Sequence, residues 1–204
     1  MKAPTVFIVD DDDAVRDGLG FLLETAGYRV QSFSSAEGYL QTLDPAHPGC
    51  LLLDLRLPGM QGAQLQAELN QRGAGIPIIF LSAHGDIPTT VRTIQAGALD
   101  FLTKPIEGGK LLERVARAME VDTEQRCQEE ELRAKRQVFA RLSERERDVL
   151  ALAINGVPNK EIARTLGISH RTVEVHRSRI LLKTNTATVL ELAALAKDCG
   201  HTKV

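Results

Sequence analysis

The sequence contains no tryptophan, and aromatic residues make up only 4% of its 204 residues. This argues against a carbohydrate-binding or base-stacking platform, because both need several flat rings on one surface. Apolar residues (43%) and charged residues (25%) stand close to the averages of globular proteins. The chain is therefore expected to fold, and its length allows one domain or two small ones.

Cysteine is also scarce, and its three copies are far apart. Cys50, Cys127 and Cys199 form no C-x-x-C pair, which argues against a structural zinc or a disulfide framework and favours a reducing compartment. No apolar run approaches the ~18 residues that a membrane span needs. The short run that ends at Val9 is followed by four aspartates, which is unlike a signal peptide. We therefore expect a cytoplasmic protein that does not contact a membrane.

The whole chain has almost no excess of either charge, with a net charge of −2, but its two ends differ. Residues 1–121 carry ten basic and fifteen acidic residues, whereas residues 139–204 carry eleven basic and seven acidic ones. This asymmetry predicts two modules with different partners. The basic module is a candidate for binding nucleic acid.

Short apolar runs alternate with amphipathic stretches through the first 121 residues. The amphipathic stretches have helical spacing, as in Val15, Leu19 and Leu22, and glycines come shortly before the next apolar run. The predicted strands are Thr5–Val9, Arg29–Phe33, Cys50–Leu53, Pro77–Leu81 and Ala98–Leu102. Five such units predict an α/β fold, in which a doubly wound, five-stranded parallel sheet has helices on both faces.

The segment from Lys110 to Asn155 contains neither glycine nor proline. The last helix of the first domain is therefore able to continue into a connector, although its apolar stripe fades after Val121. A connector so polar over residues 122–131 is either a solvated, partly frayed helix or a helix that self-associates in a dimer, and the sequence does not decide between them.

A second, small all-α domain follows the connector. Ser143 and Glu146 form a capping box that opens one helix, and Asn159 and Ser169 are the predicted N-caps of two more. A short helix, a turn at Gly167 and a long basic helix form a helix-turn-helix pattern, and a last helix follows. We therefore divide the chain into a first domain over residues 1–121, a helical linker over 122–138 and a helix-turn-helix domain over 139–204.

Polar side chains follow four of the predicted strands. They are Asp10 and Asp11 after the first strand, Asp54 after the third, Ser82 after the fourth and Lys104 after the fifth. Parallel strands bring these positions to one edge of the sheet, where three converging carboxylates need a cation. Ligands that are all oxygen favour Mg²⁺ or Mn²⁺. With Lys104 as a fixed charge and Ser82 as a hydroxyl, the set predicts phosphoryl transfer to an aspartate.

The same residues resemble the receiver domain of two-component response regulators over residues 5–121. The matching motifs are Val9-Asp10-Asp11, Asp54 followed by Leu57-Pro58-Gly59-Met60-Gln61-Gly62, Ser82-Ala83 and Lys104-Pro105. The resemblance implies that a partner sensor histidine kinase phosphorylates Asp54. It also implies that Asp11, Asp54 and the backbone carbonyl of Arg56 hold the metal directly, while Asp10 helps through water.

The resemblance also implies roles at the far side of the pocket. Lys104 is expected to contact the phosphoryl group and to precede a cis bond to Pro105. Phe101 resembles the switch aromatic whose rotamer follows Ser82. His84, in the loop after Ser82, is expected to be a surface residue near the pocket. Asp12 and Asp13 are interpreted as acids of a first helical turn, which the helix dipole favours.

The segment Leu142–Ala196 resembles the LuxR-type DNA-binding domain. The matching pieces are Leu142-Ser143-Glu144-Arg145-Glu146, Asn159-Lys160-Glu161-Ile162-Ala163 and Ser169 through His176. Thr184 and Asn185 depart from the family, which usually has a leucine after the helix lysine. The two domains in this order resemble response regulators of the FixJ/NarL family. That resemblance implies a transcription regulator rather than an enzyme, with double-stranded DNA and a phosphorylation-dependent homodimer among its partners.

The long basic helix has a predicted inner and outer face. At 100° per residue, Val173, Ile180 and Thr184 share one direction, which we expect to face the domain core. The outward side chains are Glu174, Val175, Ser178, Arg179 and Leu182, and we expect this face to enter the major groove.

Chemistry divides the expected DNA contacts into two groups. Glu174 is suited to cytosine N4, Val175 to a thymine methyl and Arg179 to guanine or phosphate. The expected phosphate contacts, which fix register without reading sequence, are Lys160, Arg164, Arg171, Thr172 and Arg177. Lys183 is a further expected DNA-binding residue. His176 lies between the two faces.

Two rival functions are weighed against this interpretation. An aspartate-nucleophile phosphatase typically has a second acid two residues after the nucleophile, where this chain has Arg56. A ligand-sensing regulator without phosphorylation would not need Asp10, Asp11, Asp54 and Lys104, and its cavity would need more aromatic lining. P-loop and dinucleotide-binding motifs are absent from the sequence.

Overall fold

The computed structural model describes residues 2–83 and 87–199, so His84 lies outside the described residues. The described chain forms two compact units, and the division between them falls after Arg126, within the predicted linker. The first unit is an α/β domain and the second is all-α, as predicted.

The first unit is built on a parallel sheet of five strands in the order β2-β1-β3-β4-β5 within the described residues. The strands are β1 (Thr5–Val9), β2 (Arg29–Phe33), β3 (Gly49–Asp54), β4 (Ile78–Ser82) and β5 (Asp100–Thr103). β1, β3 and β4 are buried along their whole length, because helices cover both faces of the sheet.

The helices of the first unit connect successive strands. They are α1 (Asp13–Thr25), α2 (Ala36–Thr42), α3 (Gly62–Gln71), α4 (Ile87–Gln95) and the beginning of α5 (Gly108–Ala140). One core, around Phe80 and Leu53, lies on the α2–α3 side of the sheet, and the other, around Ile8 and Leu111, lies on the α1–α5 side.

The predicted start of the last strand was wrong by two residues. Ala98 is not part of β5, because its N–H donates to Thr93 O and closes the end of α4. Gly97 makes that closure possible with a positive φ of 98°. Sheet pairing begins one residue later, where the Leu99 N–H donates to Ile78 O.

The second unit consists of the end of α5 and four shorter helices within the described residues. They are α6 (Glu144–Ala153), α7 (Asn159–Leu166), α8 (His170–Thr184) and α9 (Val189–Asp198). Their apolar faces meet in one core around Val149, Ile162 and Ile180. Ser143 and Ser169 cap α6 and α8 as predicted.

The linker is helical throughout, because α5 continues from Gly108 to Ala140 without interruption. Self-association of this helix stays a prediction. Among the described helices, none combines the length and the apolar character that spanning a membrane requires.

Candidate functional site

The predicted acidic residues do meet at the carboxyl ends of the strands. Asp10 directly follows β1 and Asp54 is the last residue of β3, with β1 and β3 adjacent in the sheet. One carboxylate oxygen from each of Asp10, Asp11 and Asp54 lies within 4.8 Å of the others. Asp10 and Asp54 are buried and Asp11 is exposed, so the cluster opens to solvent on the side of Asp11.

Lys104 contacts the two buried carboxylates of this cluster. Its Nζ lies 2.6 Å from Asp10 Oδ2 and 2.6 Å from Asp54 Oδ2. The bond from Lys104 to Pro105 is cis, which confirms that expectation. Burial acts to lower the pKa of the Lys104 ammonium, but the hydrogen bonds to the two aspartates outweigh it and raise that pKa above its usual value.

Asp10 has a hydrogen-bond partner at each of its polar groups. Its N–H donates to Phe33 O, its carbonyl accepts from Arg16 Nη1, its Oδ1 accepts from the Asp12 N–H and its Oδ2 accepts from Lys104. Burial nevertheless raises the pKa of the Asp10 carboxyl above its usual value, although the bonds to Lys104 and Asp12 act in the opposite direction. Asp10 is therefore held in place and carries its charge at an energetic cost.

The carboxylate of Asp54 is oriented by hydrogen bonds to both of its oxygens. Its Oδ1 accepts a 2.9 Å hydrogen bond from the Arg56 N–H, while Lys104 holds Oδ2. The backbone behind Asp54 packs directly against α3, since a Cβ on Gly62 would lie 2.2 Å from Asp54 O. Gly59, at φ 73°, makes the turn between them. Close packing thus requires glycine at position 62, and the positive φ favours glycine at position 59.

Ser82 and Phe101 lie on neighbouring strands beside this pocket. Ser82 is the last residue of β4 and is buried, and its carbonyl accepts a 2.7 Å hydrogen bond from the Lys104 N–H. Phe101 pairs with Phe80 across β4 and β5 and is half-buried against the α2–α3 core. Asp10, Asp54, Ser82 and Lys104 therefore meet at the carboxyl end of the sheet, whereas Phe101 lies two residues before the end of β5.

The first turn of α1 makes further contacts at this end of the sheet. Asp12 caps α1 through hydrogen bonds from the N–H groups of Ala14 and Val15, which agrees with its expected helical role. Arg16, however, was not singled out, although it contacts both Asp10 O and the Asp13 side chain. The i,i+3 spacing of Asp13 and Arg16 was the available signal, and it predicted only a surface ion pair.

In the second unit, the predicted inner stripe of α8 is confirmed. Val173, Ile180 and Thr184 are buried. The Thr184 hydroxyl donates to Ile180 O at 2.8 Å, so the departure from the family's usual leucine leaves a satisfied hydroxyl in the core. The outer residues are exposed, namely Glu174, Val175, Ser178, Arg179 and Leu182.

The prediction that Asn159 caps α7 was wrong. Pro158 occupies the cap position, and no side-chain hydrogen bond closes this end of the helix. The Asn159 Oδ1 instead accepts a hydrogen bond from Arg177 Nη1 on α8. This pairing of α7 with α8 spans 18 residues, so helix-start rules based on neighbouring residues do not reveal it.

Lys183, one of the expected DNA-binding residues, has a partner within the domain. Its Nζ lies 2.6 Å from Oε2 of Glu146, whose side chain is almost fully buried. Glu146 also accepts a hydrogen bond from the Ser143 N–H. Burial alone would raise the pKa of Glu146, but these hydrogen bonds outweigh it and lower that pKa below its usual value. Lys160, Arg164 and Arg171 are exposed.

Two protein families match the two units. Residues 6–116 match the response regulator receiver domain, and residues 140–196 match the bacterial regulatory proteins of the LuxR family. Receiver domains of this family bind Mg²⁺ at an acidic pocket and take a phosphoryl group from a histidine kinase. The LuxR-type domain binds DNA.

Relatives share both domains in this order. The transcriptional regulatory protein FixJ of Azorhizobium caulinodans is 42% identical over 195 residues, which is 96% of this chain and 92% of that protein. The response regulator protein TodT of Pseudomonas putida is 38% identical over 196 residues, 96% of this chain and 86% of TodT. The structure of the response regulator StyR covers 95% of this chain and 98% of its own, with 45% identity and a TM-score of 0.82. The structure of full-length FixJ from B. japonicum aligns over 100% of this chain and 100% of its own, with 34% identity and a TM-score of 0.60. The chain therefore belongs to the FixJ-like response regulators, which are phosphorylation-controlled transcription regulators and not enzymes.

Proposed function

We propose that Asp54 is the phosphoacceptor of this regulator. The observation that carries this proposal is the ammonium of Lys104 placed 2.6 Å from the carboxylates of both Asp10 and Asp54. Asp54 ends a central strand and is buried, but exposed Asp11 beside it leaves the cluster open to solvent, so a phosphoryl donor is able to approach it.

The donor set fits a hard divalent cation. Among the described residues, three carboxylates converge here, and Lys104 does not neutralise them all. We propose that Asp11, Asp54 and the backbone carbonyl of Arg56 hold Mg²⁺ or Mn²⁺ directly and that Asp10, whose carboxylate already has two donors, acts through water. When bound, the cation neutralises the charge on the phosphoryl oxygens.

In the phosphoryl transfer, Asp54 is the nucleophile and Lys104 contacts the transferred group. A carboxylate oxygen of Asp54 forms the new bond to phosphorus, and the bond from phosphorus to the kinase histidine nitrogen breaks as that imidazole leaves. Lys104 then exchanges its contact with Asp54 Oδ2 for a phosphoryl oxygen, which leaves its positive charge paired throughout.

Phosphorylation reaches the rest of the domain through Ser82 and Phe101 in this proposal. The Ser82 hydroxyl turns towards the new phosphoryl oxygens, and Phe101 takes an inward rotamer beside it. We propose that the resulting surface of α4, β5 and α5 forms a homodimer. Val91 and Ile94, on α4, support this because they are apolar and 47% and 41% exposed.

In the DNA-binding domain we propose that α8 enters the major groove with its exposed face. Glu174, Val175 and Arg179 lie on that face and read base edges, whereas Ser178 lies between them. The proposed backbone contacts, which hold the register, are Lys160, Arg164, Arg171, Thr172 and Arg177. Lys183 would join them only by giving up its contact with Glu146.

A dimer supports tight binding better than one domain does. Residues 139–204 have a net charge of only +4, so a single domain is able to make few contacts with DNA phosphates. Two copies in a dimer double the number of these contacts and bind two half-sites about one helical turn apart. We also propose residues 1–121, 122–138 and 139–204 as receiver, linker and DNA-binding domain, and a cytoplasmic location, where the DNA partner and three free cysteines are expected.

The test combines phosphorylation with assembly. The full chain is incubated with Mg²⁺ and acetyl phosphate, and we expect a mass gain of ~80 Da, the mass of one phosphoryl group. The Asp54→Asn variant should not gain this mass. Sedimentation should show dimers only for the phosphorylated wild type. A normal rate of mass gain in Asp54→Asn would overturn the phosphoacceptor assignment, and a monomer in both states, at concentrations where DNA is bound, would overturn the dimer.

A further inference from the structure

Arg16 joins the end of β1 to the first turn of α1 across the acidic loop. Its Nη1 donates a 2.6 Å hydrogen bond to the carbonyl oxygen of Asp10, and its Nη2 pairs with the Asp13 carboxylate. The Arg16 side chain is only 14% exposed, whereas the Asp13 side chain is 86% exposed. The Arg16 side chain is therefore largely enclosed while its guanidinium contacts both partners.

The two contacts of Arg16 flank Asp11 in the sequence. Asp11 lies between the two anchor points, and its exposed carboxylate has to stay within reach of Asp10 and Asp54. On one side of it, Asp10 is held at each polar group. On the other side, Asp12 is held by its hydrogen bonds to the first turn of α1. Arg16 ties these two sides to each other.

The ion pair with Asp13 does not by itself explain this arrangement. Exposed pairs of this kind contribute little to stability, typically below about 1 kcal/mol. The hydrogen bond from Arg16 to the Asp10 carbonyl does not join opposite net charges, because a carbonyl is neutral. It also places the positive guanidinium next to the carboxylates that we propose to hold a metal cation. A guanidinium donates to two acceptors in fixed directions, which suits it to setting the geometry of a loop.

We infer that Arg16 is a positioning residue for the metal site: by bridging Asp10 O and Asp13, it presents Asp11 to the cation. This inference rests on the proposed function of the pocket. Residues that orient metal ligands typically change metal affinity by about 10- to 100-fold when they are replaced.

A purely electrostatic role of Arg16 and a positioning role predict opposite changes in Mg²⁺ affinity when Arg16 is replaced. If Arg16 acted only as a nearby positive charge, its removal would make the pocket more negative and would tighten Mg²⁺ binding. If it positions Asp11, its removal weakens Mg²⁺ binding despite the more favourable charge. The sign of the change separates the two explanations.

The experiment is a calorimetric titration of Mg²⁺ into the full-length protein, comparing wild type with Arg16→Met and Arg16→Lys. We expect the Kd for Mg²⁺ to rise about tenfold or more in Arg16→Met. Arg16→Lys keeps the charge but loses the two-directional donor, so its Kd should rise as well. Arg29→Met is the matched control, because it removes one exposed positive charge at the amino-terminal end of β2, and its Kd should stay unchanged.

A second readout separates positioning from a general loss of structure. Phosphorylation by acetyl phosphate is followed as a function of Mg²⁺ concentration. The concentration for half-maximal rate should rise in both Arg16 variants, while the rate at saturating Mg²⁺ stays near that of the wild type. Far-UV circular dichroism checks folding, and Arg16→Lys decides the matter if Arg16→Met does not fold.

The outcomes are distinct. Unchanged or tighter Mg²⁺ binding in the Arg16 variants, beside normal binding in the wild type, overturns the positioning role and leaves the proposed function intact. A lower maximal rate with an unchanged Mg²⁺ dependence also overturns it. If the wild type itself does not bind Mg²⁺, the proposed function of the pocket fails together with the inference.

Discussion

The N–H of Gly49 donates a 2.9 Å hydrogen bond to Asp122 Oδ2 and thereby joins the first residue of β3 to α5. Asp122 is buried, and its carboxylate also accepts from Arg126 Nε. Arg126 Nη2 in turn donates a 2.7 Å hydrogen bond to the carbonyl of His47. These contacts attach α5 to the first unit at Asp122 and Arg126. Both residues lie beyond residue 116, where the match to the receiver family ends.

Replacing Asp122 should therefore destabilise the receiver domain. In Asp122→Leu the Gly49 N–H stays buried without an acceptor, and we expect the free energy of unfolding to fall by about 2–3 kcal/mol. Asp122→Asn retains an acceptor and should lose less. Urea unfolding of the full chain measures both, with Glu124→Ala on the exposed face of α5 as the control, which should change stability by less than about 0.5 kcal/mol. Equal losses in Asp122→Leu and Glu124→Ala would contradict this role.

Asp10→Asn should stabilise the protein when divalent cations are removed. Because burial raises the pKa of folded Asp10 above the ordinary 3.8, the folded state binds its proton more tightly than the unfolded state does. The stability contributed by the protonated form is complete below the ordinary pKa and is lost as pH rises through the folded pKa. Above that window the wild type carries the cost of a buried charge, which the amide avoids.

Thermal unfolding in EDTA at a series of pH values checks this prediction. The melting temperature of Asp10→Asn should exceed that of the wild type at pH 7, and the gap should close as the pH falls towards 3.8. Added Mg²⁺ should raise the melting temperature of the wild type more than that of the variant. A variant less stable than the wild type at pH 7 in EDTA would show that the contact of Asp10 with Lys104 outweighs its burial.

Lys183→Met should destabilise the DNA-binding domain at neutral pH. The change leaves the buried Glu146 carboxylate without its ammonium partner, at a cost of about 1–3 kcal/mol. The pKa of Glu146 is lowered in the folded state, so its contribution is present above the ordinary value of 4.5 and is lost as pH falls through the folded pKa. The difference between wild type and variant should therefore shrink in acid.

Denaturant unfolding at pH 7 and at acid pH measures this difference, and Lys197→Met removes an exposed lysine from the same domain as the control. The variant Glu146→Gln completes a double-mutant cycle. A cost of Lys183→Met that does not depend on pH would contradict the pairing with Glu146.

Lys160→Ala and Arg179→Ala should weaken DNA binding in different ways. Lys160 lies at the start of α7 and is exposed, so as a phosphate contact it should weaken binding to all sequences alike and reduce the salt dependence by about one counterion. Arg179 lies on the exposed face of α8, as does Glu174, and each alanine variant should relax discrimination at one base pair by about 1–3 kcal/mol.

Binding titrations against operator and scrambled DNA at several salt concentrations distinguish these effects. If Glu174→Ala and Arg179→Ala lose affinity equally for both DNAs, the exposed face of α8 is not the one that reads the bases.

Much of the architecture was determined by the sequence itself. Short apolar runs and the helical period of 3.6 residues are local patterns. The runs located the strands, and the helical period located the buried stripe of Val173, Ile180 and Thr184. The order of the strands also placed Asp10, Asp54 and Lys104 at one end of a parallel sheet, because the carboxyl ends of such strands share one edge.

Tertiary structure alone decided which polar groups are partners. Glu146 and Lys183 are 37 residues apart, Gly49 and Asp122 are 73 apart, and the side chain of Asn159 bonds to Arg177 instead of capping its own helix. Local patterns are silent on such pairs, because a hydrogen bond depends on distances and directions that exist only after helices and strands have packed. For the same reason, the sequence does not reveal the contact between Arg16 and Asp10, because only the folded loop brings the Arg16 guanidinium to that carbonyl.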